Sequence, residues 1–191
     1  MSTLLERALT EPPLRELPPA AAELLVDLQA PPRLGAHLRA VHDVAHQLTD
    51  WFTTSHRELD LERDAVLFGA ATHDIGKVIH VEELSGPGTQ HEAAGERLLL
   101  EVGVAPRLAR FAATHGSWNA EVELEDLLVS LADKVWKAKR VTGLEQLVVE
   151  RLVSGSELEG WEVFLQLDDL LGGLADGADD RLAFQSSYPI G

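Results

Sequence analysis

From Leu34 to Leu171 the apolar residues of this chain recur at spacings of three and four, and runs rich in Val, Ile and Thr with strict alternation are missing. Such a pattern builds amphipathic helices and offers no strand to pair with another. The expected fold class is therefore all-α, a compact single-domain helical bundle. With 45% hydrophobic residues in 191, the chain can bury one sizeable core.

The spacing predicts a short helix over Ser2 to Thr10, stopped by Pro12-Pro13, and a second over Pro19 to Gln29, stopped by Pro31-Pro32. Residues 1–32 read as an N-terminal helical cap. A long helix is expected from Leu34 to His56, with Leu38, Val41, Ala45, Leu48 and Phe52 on one face. The next, Leu61 to Ile75, buries Val66, Leu67, Ala70 and Ala71, with Gly76 as its terminator. After the Gly86-Pro87-Gly88 loop, Thr89 and Glu92 form a capping-box pattern for a helix over Gln90 to Val102. Pro106 suits the first position of a helix reaching His115. A strong stripe, Leu124, Leu127, Leu128, Leu131 and Val135, marks a helix over Leu124 to Arg140. Residues 33–142 thus form the core. Residues 143–191 supply helices near Leu144 to Leu152 and Glu157 to Leu171, then a Gly/Asp-rich tail from Gly172 expected to be partly mobile.

Charge and cysteine content narrow the chemistry. There are 32 acidic against 16 basic residues, a net charge of -16, which repels a nucleic-acid polymer or an anionic membrane at long range. A small phosphorylated metabolite or nucleotide remains compatible, since a divalent ion and a few local cations can invert the field inside a cleft. Cysteine is absent, so any metal must sit on His, Asp or Glu. No basic start followed by an apolar core opens the chain, and no apolar stretch is long enough to span a bilayer, which makes the cytoplasm the expected compartment. A homodimer is compatible with these features.

Asp74 is the strongest local anomaly. It lies four residues after Ala70 and seven after Leu67 and so continues a buried stripe, where an ionised carboxylate is costly unless paired or metal-bound. His73 beside it can lean toward the same point. A buried Asp paired with an Arg, or capping a neighbouring helix, accounts for the pair equally well in isolation. His42 on the long helix, His91, His115 and Asp133 add one imidazole or carboxylate from each central helix. Imidazole and carboxylate donors suit a divalent metal, Mn, Fe, Co, Ni or Zn, and this set suffices for two ions sharing a bridging carboxylate.

In that order, His42, His73-Asp74 within Ala-Thr-His-Asp-Ile-Gly-Lys, His91, His115 and Asp133, the chain resembles the HD-domain metal-dependent phosphohydrolase superfamily from about Leu34 to Arg140. The resemblance implies that Asp74 bridges two metals, that His42, His73 and Asp133 complete one site, and that His91 and His115 serve the other. His37 and His46 flank His42 by about a turn and are alternatives for the first histidine; otherwise they read as outer supports or surface residues. His56 and His80 read as exposed. By the same resemblance Asp74 and Lys77 are catalytic, with Lys77 facing the substrate's oxyanion. Lys134 and Lys137, three apart at the start of a cation cluster with Lys139 and Arg140, read either as phosphate contacts or as cations complementing a helix end.

Two subfamilies are disfavoured. The His-His-Glu and Gly-Tyr-Pro features of cyclic-dinucleotide-cleaving relatives are replaced by Thr114-His115-Gly116-Ser117-Trp118-Asn119, and Lys77-Val78 stand where nucleotide monophosphatases often carry a glutamate. The resemblance implies hydrolysis of a small nucleotide-like phosphoester or phosphoanhydride by a metal-activated water. A similar ligand set in di-iron oxygenases of the myo-inositol oxygenase type keeps redox chemistry as the alternative. A non-catalytic ligand-binding or regulatory module is a third reading.

Overall fold

The computed structural model describes residues 3–156 and 158–190. Among the described residues there are ten α-helices, two 3₁₀ turns and no strand. The helices are α1 (Leu4–Thr10), α2 (Pro19–Asp27), α3 (Pro32–Ser55), α4 (Arg63–Thr72), α5 (Gln90–Glu101), α6 (Pro106–Thr114), α7 (Leu124–Val135), α8 (Thr142–Ser154), α9 (Gly160–Asp176) and α10 (Ala178–Ser186). The 3₁₀ turns, Ile75–Val78 and Val81–Leu84, lie between α4 and α5. The starts expected at Ser2 and Glu157 lie outside the described residues.

Local chemistry sets the helix starts. Thr3 and Glu6 close a reciprocal capping box on α1, with the Glu6 amide donating to Thr3 Oγ1 at 3.1 Å. Pro19, Pro32 and Pro106 occupy the first positions of α2, α3 and α6, where a missing N–H costs nothing. Pro32 therefore opens α3 as well as separating it from α2. The Thr89 side chain, expected to cap α5, makes no capping bond. The Glu83 carboxylate takes that place, accepting from the Gln90 and His91 amides at 3.1 and 3.2 Å.

α3 runs through the middle of the bundle. It packs on α1, α4, α7 and α10, and every residue from Leu34 to His42 is buried. Two apolar clusters share its length. One gathers Val41, Val44, Leu48 and Phe52 with residues of α4, α7, α8 and α9; the other gathers Leu34 and Leu38 with Leu9, Leu25, Ile75 and Leu99. α4 and α6 also feed both clusters, Ala70 and Phe111 the first, Ala71 and Ala112 the second. At about 25 cal/mol per Å² of apolar surface, these clusters are the main favourable contribution to folding.

Buried arginines tie the chain ends to this centre. Arg39 is fully buried and donates to the carbonyls of Ala8, Glu11, Leu14 and Arg15, fixing the link between α1 and α2. Arg181 donates to the carbonyls of Trp136 and Leu174, and Tyr188 Oη donates to Glu11 at 2.9 Å. The Gly/Asp-rich segment after Gly172, expected to be a partly mobile tail, is the end of α9 followed by α10. Its helices pay their ordering cost through buried Leu174, Ala178, Arg181 and Tyr188. No helix of the described residues is long and apolar enough to cross a membrane.

Candidate metal centre

α4 ends at Thr72, three residues before the expected Ile75, and the chain turns sharply through His73 and Asp74 into the first 3₁₀ turn. The cause lies at Gly76. A β-carbon there would overlap the carbonyl oxygen of His91 and the amide nitrogen of Gly95, so the 3₁₀ turn and α5 meet backbone to backbone. Gly76 is thus a close-approach glycine rather than a helix terminator, and the approach sets His91 against Asp74.

The two oxygens of the Asp74 carboxylate face two different sets of nitrogens. Oδ2 lies 3.0 Å from His37 Nε2 and 3.7 Å from His73 Nε2; Oδ1 lies 3.0 Å from His91 Nε2 and 3.4 Å from His115 Nε2. Asp133 Oδ1, from α7, closes the first side at 3.5 Å from His73 Nε2 and 3.9 Å from His37 Nε2. All six residues are buried, Asp74 at 2% exposure. Two groups suited to a shared ion result, His37 with His73 and Asp74, and Asp74 with His91 and His115.

The first histidine of the constellation is a correction. His37 stands where His42 was expected, and His42 is elsewhere. Five residues along an α-helix turn the side chain by about 140°, which carries His42 away to line a separate pocket with Glu16, Leu17, Asp64 and Leu67. His37 is neither an outer support nor a surface residue; it shares a helical stripe with Val41, Val44 and Leu48, but His42 shares an equally buried one with Leu38, Ala45 and Thr49, so spacing did not separate them. His46, also an alternative, pairs with Asp50 at 3.0 Å and receives Arg63 at 2.9 Å. His56, read as exposed, is buried against Trp51 and Phe52. His80 is half-buried beside Glu82.

Electrostatics hold the two carboxylates of this cluster ionised. Burial opposes charge on Asp74, yet the imidazoles around it, of His73, His115, His37 and His91, more than offset that and keep the carboxyl well below the usual range. Asp133 is likewise depressed: burial raises it, and the neighbouring His73 and Lys134 more than offset that. Burial lowers the His91 imidazole, but its bonds to Asp74 and Glu83 raise it above the ordinary histidine value.

The histidines are oriented from behind. Nδ1 of His73 contacts the Ala70 carbonyl at 2.9 Å, and Nδ1 of His115 the Ala112 carbonyl at 3.0 Å, so Nε2 of each turns inward. His37 Nε2 and His73 Nε2 are buried and have no hydrogen-bond partner. Buried polar nitrogens left unpaired in a polar nest of two carboxylates fit metal ligation, because an ion supplies the interaction that burial removed. The residues present therefore fit one or two divalent ions.

Above the cluster lies a cavity of about 300 Å³, whose lining includes Lys77, Lys134 and Lys137 with Gly88, Glu92 and Gly116. Lys77 Nζ is 2.6 Å from Asp74 Oδ2, and Lys134 Nζ is 2.5 Å from Asp133 Oδ2. Lys134 and Lys137 also stand over the rings of Trp118 and Trp136, at 5.7 and 5.6 Å from their centroids. The cation cluster does not continue as one helix face to Arg140. α7 ends at Val135, Ala138 adopts φ 56°, and Arg140 is bound by Glu145 and Asp168. Trp118, Trp136 and Glu83 escaped the sequence reading because nothing in local spacing ties them to the histidines.

The family model of the HD domain matches residues 34–136, more than half of the chain and the whole of the cluster. This chain belongs to the HD-domain family. No curated protein and no solved structure matches it.

Proposed function

We propose that this chain is a metal-dependent phosphohydrolase acting on a small nucleotide-like phosphoester or phosphoanhydride. The observation that carries the reading is the split of the Asp74 carboxylate between two histidine groups beneath a cavity with three lysines at its wall. In an otherwise acidic chain, that gathering of ammonium groups suits a phosphoryl anion.

His37, His73, Asp74 and Asp133 would hold one divalent ion, and His91, His115 and the other oxygen of Asp74 a second. When bound, such ions supply Lewis acidity and a water of lowered pKa. Lys77 stands close enough to Asp74 to keep it ionised and to meet charge growing on a phosphoryl oxygen. Lys134 and Lys137 bind and orient the remaining phosphate oxygens. Burial of the cluster lowers the local dielectric and strengthens each of these interactions.

The test is metal analysis of protein purified without chelators, joined to a panel of phosphorylated metabolites assayed anaerobically with Mn²⁺ or Co²⁺. Release of phosphate that Asp74→Ala abolishes, together with its metal, is the expected result. Oxygen uptake with polyols or phosphonates in place of phosphate release would replace the reading with a di-iron oxygenase.

A further inference from the structure

The two sides of the Asp74 carboxylate are not equivalent in charge. The His37 side has a second carboxylate within reach, Asp133, whereas the group formed by Asp74, His91 and His115 contains none. Behind His91, however, stands Glu83, 6% exposed, with Oε2 at 2.5 Å from His91 Nδ1 and 3.2 Å from the His91 amide. Its other oxygen accepts from the Gln90 amide at 3.1 Å. Among the four clustered histidines, His91 alone backs onto a carboxylate: His73 and His115 use neutral carbonyls, and His37 Nδ1 has no partner.

We propose that Glu83 is the positioning residue of the second ion site and supplies its missing negative charge through the His91 imidazole. This rests on the two-ion reading of the cluster. An anionic acceptor on Nδ1 holds a proton there, leaves Nε2, the nitrogen on the side of Asp74 Oδ1 and His115, as the atom that would meet the ion, and makes the ring a more basic ligand. The same carboxylate caps α5 through the Gln90 and His91 amides, so the ligand and its helix start are fixed by one group. Gly88 is part of the device. A β-carbon at that position would overlap the Glu83 carboxyl group, so the Gly-Pro-Gly loop is shaped around this side chain.

The experiment strips the full chain with chelator and titrates Mn²⁺, reading stoichiometry by elemental analysis and affinity by calorimetry, with circular dichroism as the folding control. Wild type is expected to take two ions, and Glu83→Gln to keep the first while the second weakens by about 10–100-fold. Gly88→Ala, which displaces the carboxylate without removing its charge, should reproduce that loss. Two ions bound with unchanged affinity in both variants would overturn the assignment. Loss of both ions together would overturn it too, by making Glu83 a support of the fold rather than of one site. Fewer than two ions in wild type would instead refute the two-ion reading itself.

Discussion

His37 Nε2 of α3 lies 3.0 Å from Asp74 Oδ2, so the longest helix of the chain and the sharp turn after α4 meet at a single carboxylate. His42, on the same helix, points away into a different pocket. The pair separates two histidines that burial alone cannot, since both are nearly inaccessible.

Substituting each of them in turn should give opposite results. His37→Ala is expected to weaken binding of one divalent ion by at least about tenfold, because it removes a donor whose neighbours, His73, Asp74 and Asp133, cannot close the shell alone. His42→Ala should leave the metal content at the wild-type level. Elemental analysis of the two purified variants checks both expectations, and metal loss in His42→Ala alone would refute the placement.

His42 carries a pH dependence of its own. Burial, assisted by the nearby charges of His46 and Arg15, pushes its pKa down to about 4 from 6.5. The unfolded chain therefore takes up a proton there that the folded chain refuses. The associated stability is fully present above pH 6.5, declines as the pH falls toward 4 and is absent below it, with a ceiling of about 3 kcal/mol. His42→Leu removes this titration, so the difference in urea-unfolding free energy between wild type and variant should grow in the variant's favour across that window. A difference that stays flat between pH 7 and pH 4 would contradict the buried neutral state.

Gly76→Ala should be severe. The added methyl meets the backbone of His91 and Gly95, which cannot rotate away as a side chain would, so the 3₁₀ turn must lift off α5. We expect a loss of roughly 3 kcal/mol or more in unfolding free energy and loss of metal binding with it. Gly143→Ala, at a helical position with open space around it, should move the other way by about 0.5–1 kcal/mol. Paired denaturation curves of the two variants read the contrast directly.

Arg39→Met tests how the first helices are held. It leaves four carbonyls, of Ala8, Glu11, Leu14 and Arg15, without their donor in a buried setting. The expected cost is about 3 kcal/mol, together with faster proteolysis of the link between α1 and α2 under native conditions. Cleavage at the wild-type rate would mean that apolar packing alone fixes that segment.

The sequence by itself determined that the chain is helical and that prolines open or separate its helices, and its resemblance to the HD-domain superfamily grouped His73, Asp74, His91, His115 and Asp133 in one ordered constellation. Periodicity of three and four, proline's fixed φ and the cost of burying an unpaired carboxylate are local or one-dimensional facts. Tertiary structure alone decided which histidine of α3 joins them. A helix surrounded by α1, α4, α7 and α10 is buried on nearly all sides, so its hydrophobic stripe does not say which face meets Asp74. The same holds for Glu83, eight residues before His91 and separated from it by a Gly-Pro-Gly loop. Only the folded loop brings its carboxylate to Nδ1, at a distance that sequence spacing cannot encode.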